Sequence, residues 1–388
     1  MYETGRRCRQ FFSLKEVRIY TGIAVAALLL NVAAWKSTTL CDAYIVYVFP
    51  LLVNLMGRFS GLFPFSLGEW MIAAGILLIL GAAVCAVLLL IKRIHKRAAQ
   101  SFFRFFAWTV LWVFVVITFN SSMLYHGTGF AQKYMGGAGG EYSLEECIRV
   151  HNLVAEECNR LSTRMVRDGE GNILCGENDA MEQEAIVCMR ALGKTYPQLK
   201  GWYPEPKPMF FSDLMCQMYM CGYYFPFSME ANYNDVMYVM NKPATLCHEL
   251  AHLRGFILED EANFISYLAC IQSEDVVFQY SGYLSVITYL RNDLIRARRE
   301  DPKGYEQAAA MIAPVELLPQ VKEDNVFVKQ EEWDRIHAQA WLSTDTLEQA
   351  SDTLTDTLLK LNGVSDGKIS YNRVVELLLQ YYAGARAS

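Results

Sequence analysis

Two histidines four residues apart, with a glutamate between them, form the group in this sequence best suited to chemistry. The segment reads HELAH, so His248 and His252 fall on one face of a helix with Glu249 beside them. Two imidazoles placed in this way bind one zinc ion, which acidifies a bound water so that a carboxylate removes its proton. The segment therefore predicts a zinc site with His248 and His252 as ligands and Glu249 as general base.

The residues on either side of this motif predict a hairpin of two helices. Pro243 suits the first turn of the metal-binding helix, and Gly255 suits its end. Only residues 255–258 separate this helix from the next helical pattern, which starts at Glu259. Such a short connection places the two helices side by side and antiparallel.

The second helix of this hairpin offers a third ligand. Glu259, at its start, is expected near His252, and Asn263, one turn later, near His248. We expect Glu259 to bind the metal in preference to Glu261, which points to the other side of the helix. Asn263 would accept the spare N–H of His248 and fix its tautomer.

An alternative interpretation of the same residues involves no metal. An isolated HExxH segment is a weak signal, because three fixed residue types recur by chance. The two histidines would then be a buried, hydrogen-bonded pair. Glu259, Asp260 and Glu261 would complete the N-terminus of a helix, where acidic side chains are stabilised by the helix dipole.

Four further residues are candidates for contacts with a substrate or a reaction intermediate. Tyr280 or Tyr283 could place a hydroxyl over the metal to stabilise an oxyanion, although both also suit aromatic packing. Glu230 and Asn232, just upstream of the metal helix, could line the cleft and hold an extended substrate. They suit equally a role in capping or bracing the hairpin.

Charge is distributed unevenly along the 388 residues. Residues 1–104 carry 12 Lys and Arg against 4 Asp and Glu, whereas the remainder carries 23 against 37. An acidic distal region without clustered basic and aromatic residues excludes nucleic acid as a partner. The 11 cysteines contain no CxxC pair and define no disulfide framework.

Three apolar stretches, at about 19–35, 69–91 and 103–124, are long enough to cross a bilayer core of roughly 30 Å. Basic residues precede the first stretch and separate the second from the third. Because Lys and Arg are retained in the cytoplasm, we expect a multi-pass protein of the cytoplasmic membrane with a cytoplasmic N-terminus. Everything after about residue 125 would then be extracytoplasmic.

These boundaries divide the chain into three regions. Residues 1–125 form the membrane region, 126–142 a Gly-rich linker and 143–388 an extracytoplasmic domain. The patterns in the last region predict a mainly α fold with at most a small sheet. The aromatic, proline-containing loop at 36–68 is expected to lie along the membrane interface, or alternatively to be a buried plug against the domain.

The segment Glu259–Asn263 resembles the ExxAD element of the integral-membrane gluzincins. There the first glutamate binds zinc and the last residue steadies the first histidine. This sequence departs from that group, because Asn263 replaces the aspartate and the gap after His252 is much shorter. It also lacks the third histidine of the metzincins, with Leu258 at that place.

A second resemblance covers most of the chain. Residues 226–232, 248–255, 259–263 and 280–283 look like landmarks of a bacterial family of three-span membrane proteins, the domain of unknown function thirty-eight-ten. The resemblance implies a zincin-like (gluzincin-like) extracytoplasmic domain. It brings no known substrate.

Two functions follow from these expectations. The first is a membrane-anchored, zinc-dependent metallohydrolase, a peptidase acting on proteins or peptides at the outer face of the lipid bilayer. The second is a catalytically inactive, zinc-stabilised sensor or partner-binding ectodomain, suggested by the missing aspartate at position 263.

Overall fold

The protein is mainly helical and contains one small sheet. The structure, a computed structural model, describes residues 13–137, 140, 142–365, 367 and 373–387. Helices account for 71% of it, and three short strands form the sheet. The fold class expected from the sequence is confirmed at this level.

The helices and strands follow one another along the chain in two groups. The first group comprises α1 (Leu14–Lys36), α2 (Thr38–Ala43), a π-helical turn (Tyr44–Val48), α3 (Phe49–Ser60), α4 (Leu67–Leu90), α5 (Lys96–Ile117), a second π-helical turn (Thr118–Ser122), α6 (Met123–Tyr125) and α7 (Phe130–Tyr134). The second comprises α8 (Leu144–Ser162), α9 (Asn178–Leu192), a 3-10 turn (Pro197–Leu199), β1 (Lys207–Pro208), α10 (Ser212–Gln217), β2 (Gly222–Phe225), β3 (Glu230–Tyr233), a 3-10 turn (Val239–Asn241), α11 (Lys242–His252), α12 (Glu259–Ile271), α13 (Val276–Glu300), α14 (Pro302–Met311), α15 (Pro319–Asp324), α16 (Gln330–Gln339), α17 (Thr344–Leu361) and α18 (Val374–Ala387).

Several helices near the N-terminus fit a membrane protein. Among the described residues, four helical segments are long and apolar enough to cross a bilayer: Leu14–Lys36, Thr38–Ser60, Leu67–Leu90 and Lys96–Tyr125. Three of them overlap the stretches expected from the sequence. The fourth, Thr38–Ser60, falls in the region 36–68 that was expected to be a loop along the membrane interface or a buried plug, so the count of three spans is not confirmed.

Residues 38–60 form one continuous helical segment despite a proline inside it. Pro50 directly follows the π-helical turn Tyr44–Val48, where the N–H of Phe49 donates to the carbonyl oxygen of Tyr44, five residues earlier, so the proline lies where the hydrogen-bonding pattern changes. One face of this segment, including Ile45, Phe49 and Val53, is buried in the main core of the protein. The opposite face is apolar and exposed, as at Leu55.

The start of α4 is bonded to the distal region, residues 143–388, through two buried carboxylates. Glu230 accepts hydrogen bonds from the backbone N–H groups of Leu67 and Gly68, at 3.1 and 2.9 Å. Glu69 in turn accepts from the N–H groups of Phe210 and Phe211, both at 2.9 Å. Glu230 thus binds backbone N–H groups at the start of a helix, and Glu69 binds those of the turn before α10. These charge-assisted hydrogen bonds hold α4 against the distal region.

The segment expected as a linker is packed where the structure describes it. Residues 138, 139 and 141 lie outside the described residues. Phe130 is fully buried, and its N–H donates to Glu261 at 2.5 Å. Further along, Gln380 donates to the carbonyl oxygens of Met135 and Gly137, at 2.8 Å each.

The distal core surrounds the pair formed by α11 and α12. These two helices pack on each other and on α9 and α13. The sheet, in the order β1-β3-β2, has β3 parallel to β1 and antiparallel to β2, and it lies against α11. The ten cysteines of the described residues are all free thiols.

Candidate metal centre

The two helices that carry the candidate ligands form the hairpin expected from their connection. α11 has proline in its first turn and ends at His252, and α12 begins at Glu259. Gly255, between them, has a φ of +83°, which side chains with a Cβ rarely adopt. A Cβ there would also approach Ile45 to 2.8 Å, so glycine allows both the turn and the contact with the membrane-proximal segment.

The hairpin brings His248, His252 and Glu259 together. One oxygen of the Glu259 carboxylate lies 3.0 Å from Nε2 of His248, and the other lies 3.9 Å from Nε2 of His252. The two imidazole rings are 4.7 Å apart and perpendicular. Glu249 also offers an oxygen within 4.8 Å of both histidines.

Hydrogen bonds to the far side of each imidazole define which nitrogen carries the proton. Nδ1 of His252 lies 2.8 Å from the carbonyl oxygen of Phe256, which only accepts hydrogen bonds. Nδ1 of His248 lies 2.9 Å from Oδ1 of Asn263. With Nδ1 donating in both rings, both Nε2 atoms face the Glu259 carboxylate, where each would offer its lone pair to a bound metal.

The pKa values of the two histidines move apart. Burial lowers the pKa of His248, but the hydrogen bond and charge of Glu259 outweigh it and raise the pKa to about 8. Burial, followed by the positive charge of His248, lowers the pKa of His252 to about 4. Without metal, the protonated form of His248 is therefore favoured beside Glu259, and a divalent cation would compete with that proton for the Nε2 lone pair.

The donor set fits a zinc ion. Two neutral imidazoles and one carboxylate, drawn from adjoining helices, are the ligands of catalytic zinc sites that keep a position for water. The side chains of His248 and Glu259 remain partly exposed, at 14% and 22%, so the cluster is reached from solvent on that side.

Glu249 has the environment of a proton acceptor rather than of a structural carboxylate. Its Oε2 is buried and, among the described residues, has no hydrogen-bond partner. Burial raises the pKa of Glu249 to about 8, despite the opposing charge of His248. This oxygen lies beside His248 and His252, and it would accept a proton from water once a cation in the cluster favoured the ionised carboxylate.

Room for this carboxylate comes from Gly222, at the start of β2. A Cβ at position 222 would lie 2.8 Å from the carboxyl carbon of Glu249. We expect Gly222→Ala to push the Glu249 side chain aside with little loss of fold, because the end of a side chain moves more easily than backbone. A shift of this size costs about 10²-fold in rate when the displaced group is catalytic.

This expectation is measured by comparing peptide cleavage and zinc content of Gly222→Ala with those of Gly169→Ala. Gly169 has open space around its Cα, so a Cβ there meets nothing within 4 Å. Retained zinc with reduced cleavage in Gly222→Ala only is the expected result. Full activity in Gly222→Ala would remove Glu249 from its assigned role.

The two tyrosines selected from the sequence have their partners away from His248, His252 and Glu259. The hydroxyl of Tyr280, a fully buried residue, donates to Asp324 at 2.8 Å, and Asp324 is paired with Arg167 at 2.6 Å. Tyr283 packs its ring against Tyr267, with centroids 5.7 Å apart. Both therefore brace α13 against neighbouring elements.

Other tyrosines, which the sequence analysis missed, surround the site. Tyr289, on the same helix α13, lies close to the side chains of Glu259 and Asn263, and burial raises its pKa to about 12. Tyr223 lies on β2, where burial and then the charge of Glu249 raise its pKa. Their hydroxyl groups are candidates for stabilising an oxyanion. Helical spacing places Tyr289 on a different face of α13 from Tyr283, but only the packing of α13 on α12 shows which face meets Asn263.

Glu230 and Asn232 serve the framework of the site. Glu230 is 2% exposed and binds Lys207 at 2.7 Å in addition to the start of α4. Asn232 is 1% exposed and donates from Nδ2 to the carbonyl oxygen of Tyr223, at 3.2 Å. Asn232 thus positions β2, because its partner lies on that neighbouring strand. Glu230 connects the sheet to the start of α4, which is far away in the sequence.

Fold and site together define a mainly helical protein with apolar N-terminal helices and a cluster of two histidines and two glutamates on a helical hairpin. The chain belongs to the family described as protein of unknown function (DUF3810), whose family model matches residues 44–379. Neither a curated protein nor a solved structure matches the chain.

Proposed function

We propose that this protein is a membrane-anchored, zinc-dependent hydrolase that cleaves proteins or peptides at the outer face of the membrane. The observation that carries the proposal is the orientation of the two imidazoles. Both Nδ1 atoms are engaged by acceptors, and both Nε2 atoms face one carboxylate. The packing of this hairpin on a small sheet supports a zincin-like domain.

Each residue of the cluster has a defined task in this reaction. His248, His252 and Glu259 would hold a zinc ion, which would lower the pKa of a water molecule and polarise a carbonyl group. Glu249 would accept the proton of the attacking water at its unpaired Oε2 and later deliver it to the leaving amine. Tyr289 or Tyr223 donates its hydroxyl proton in a hydrogen bond to the developing oxyanion.

A peptide is favoured as substrate because of the strand next to Glu249. β2 is at one edge of the sheet and pairs with β3 alone among the described strands. An edge strand offers backbone donors and acceptors to an extended chain. A peptide bound along β2 would pass Gly222 and therefore Glu249.

The membrane arrangement is part of the proposal. α1, α4 and α5 cross the cytoplasmic membrane, and the basic residues between α4 and α5, Lys92 and Arg93, stay in the cytoplasm. Residues 38–60 lie between bilayer and domain, because one of their faces is buried in the core and the other is apolar and exposed. The distal region, with the metal site, is then extracytoplasmic.

The test is to measure metal content and peptide cleavage of the full-length protein in lipid nanodiscs. We expect about one zinc ion per chain, as for a site with one set of ligands. Peptide mixtures analysed by mass spectrometry should show cleavage products, which disappear with 1,10-phenanthroline and return when zinc is added. A protein that binds no divalent metal and loses no stability with the chelator would refute the proposal.

Zinc without cleavage would favour the inactive ectodomain instead. The feature that supports this second candidate is Asn263, a neutral amide where the resemblance to gluzincins implies an aspartate. A closed coordination sphere without exchangeable water, detected by X-ray absorption spectroscopy, would then be expected.

A further inference from the structure

Helix α17 is attached at both ends to the points where membrane helices meet the distal region. At its start, Gln217 of α10 donates to the carbonyl oxygen of Leu342, at 3.1 Å. The chain just before α10 is bonded to Glu69 in the first turn of α4. α17 therefore begins close to the end of one apolar helix.

The other end of α17 lies next to two more apolar helices. A Cβ on Gly363, which follows α17, would lie 3.0 Å from the ring of Trp35 and 3.6 Å from the ring of His126. Trp35 is in the last turn of α1, and His126 follows α6; their rings are 4.5 Å apart. The 18 residues of α17, about 27 Å long, thus connect the ends of α4, α1 and α6 on the side of the distal region.

One of the exposed faces of α17 is apolar. Leu354, Leu358 and Leu361 are 61%, 49% and 69% exposed and recur at helical spacing. Leu359, on the other face, is 3% exposed and packs inwards. A row of exposed leucines on one helix forms a patch of the kind that marks an interaction surface.

Additional apolar side chains continue this face beyond the start of the helix. They are Trp341, Leu342, Phe210 and Phe211, all exposed, with Trp341 at 99%. Phe210 and Phe211 are those whose N–H groups bind Glu69, so this part of the surface adjoins the start of α4 directly.

We infer that α17 is an in-plane membrane helix whose leucine face, with Trp341 and the Phe210–Phe211 turn, lies in the outer surface of the bilayer. Continuity with the ends of three apolar helices places this surface at the level of the lipid headgroups. An amphipathic helix in that position buries its apolar face among headgroups and upper acyl chains. The distal region is thereby held against the membrane at a third place besides α3 and the crossing helices, independently of any activity of the metal site.

Site-specific photo-cross-linking tests this inference on the full-length protein in nanodiscs of phosphatidylethanolamine and phosphatidylglycerol. A diazirine amino acid is placed at Leu354 or Leu358, and lipid adducts are measured by mass spectrometry of the intact protein. Matched controls carry the same group at Asp345 or Gln349, which are exposed on another side of α17. Position 77, on the exposed surface of α4, serves as the positive control.

We expect several-fold more lipid adduct at positions 354 and 358 than at 345 and 349, with yields approaching that at position 77. Equal yields on the two sides of α17 would overturn the inference. So would adducts at 354 and 358 that join two copies of the chain without lipid, since the leucine face would then be a protein interface.

Discussion

Replacing Glu249 with glutamine is expected to abolish peptide cleavage while zinc stays bound. Glutamine keeps the shape of the side chain but accepts no proton from water, and the loss of a general base costs about 10²–10⁴-fold in rate. His248, His252 and Glu259 remain in place, so metal affinity should change little. Initial cleavage rates and zinc content of the wild type and Glu249→Gln, measured in nanodiscs, check this expectation.

Glu182→Gln is the matched control for this experiment. Glu182 is also a buried carboxylate, 5% exposed, whose oxygen accepts from the hydroxyl of Tyr233 at 2.6 Å. Glutamine at this position can still accept that bond, so activity should be retained. Cleavage that is unaffected by Glu249→Gln would rule out the proposed mechanism, whatever the zinc content.

Glu259→Gln is expected to release the metal, and Glu261→Gln to keep it. Glu259 is the carboxylate that faces both imidazole Nε2 atoms, at 3.0 and 3.9 Å. Losing a residue that only hydrogen-bonds to a metal ligand costs about 10–100-fold in metal affinity. The loss of Glu259, which would bind the metal itself, should weaken zinc binding by more than this. Competition between the protein and a fluorescent zinc indicator measures the affinity of both variants.

Glu261 is a strict control because it is an acid of the same helical turn with a different partner. It is 7% exposed and accepts from the N–H of Phe130. Burial, and next the charge of Asp260, raise the pKa of Glu261 to about 8, so a neutral glutamine should be tolerated. Loss of zinc from Glu261→Gln, with zinc retained by Glu259→Gln, would exchange the assignments of the two residues.

The approach of His248, His252 and Glu259 could be derived from the sequence because it depends on local geometry. Helical periodicity places the two histidines on one face of α11. Because only a few residues connect α11 to α12, the two helices must pack side by side. Asn263 follows from the same argument, and the structure places its Oδ1 next to Nδ1 of His248. The second anchor, the Phe256 carbonyl at His252, is a backbone group that no side-chain pattern indicates.

Tyr289 and Gly222 could not be found in this way. Tyr289 reaches Asn263 only because α13 packs on α12 with one particular face, and Tyr280 and Tyr283 are equally plausible on sequence grounds. Gly222 matters only through the contact of β2 with Glu249. For both residues, the sequence offered no signal beyond the residue type itself.

Composition and short-range periodicity were enough to predict a mainly helical protein with apolar helices near its N-terminus and a helical hairpin that carries His248, His252 and Glu259. The folded chain was needed to show that Glu230 binds the start of α4, that residues 38–60 form helices packed on the distal core, and that α17 extends between the ends of the apolar N-terminal helices. The physical reason is distance along the chain. Contacts between segments many residues apart depend on which faces meet when the whole chain folds, and no local pattern encodes them.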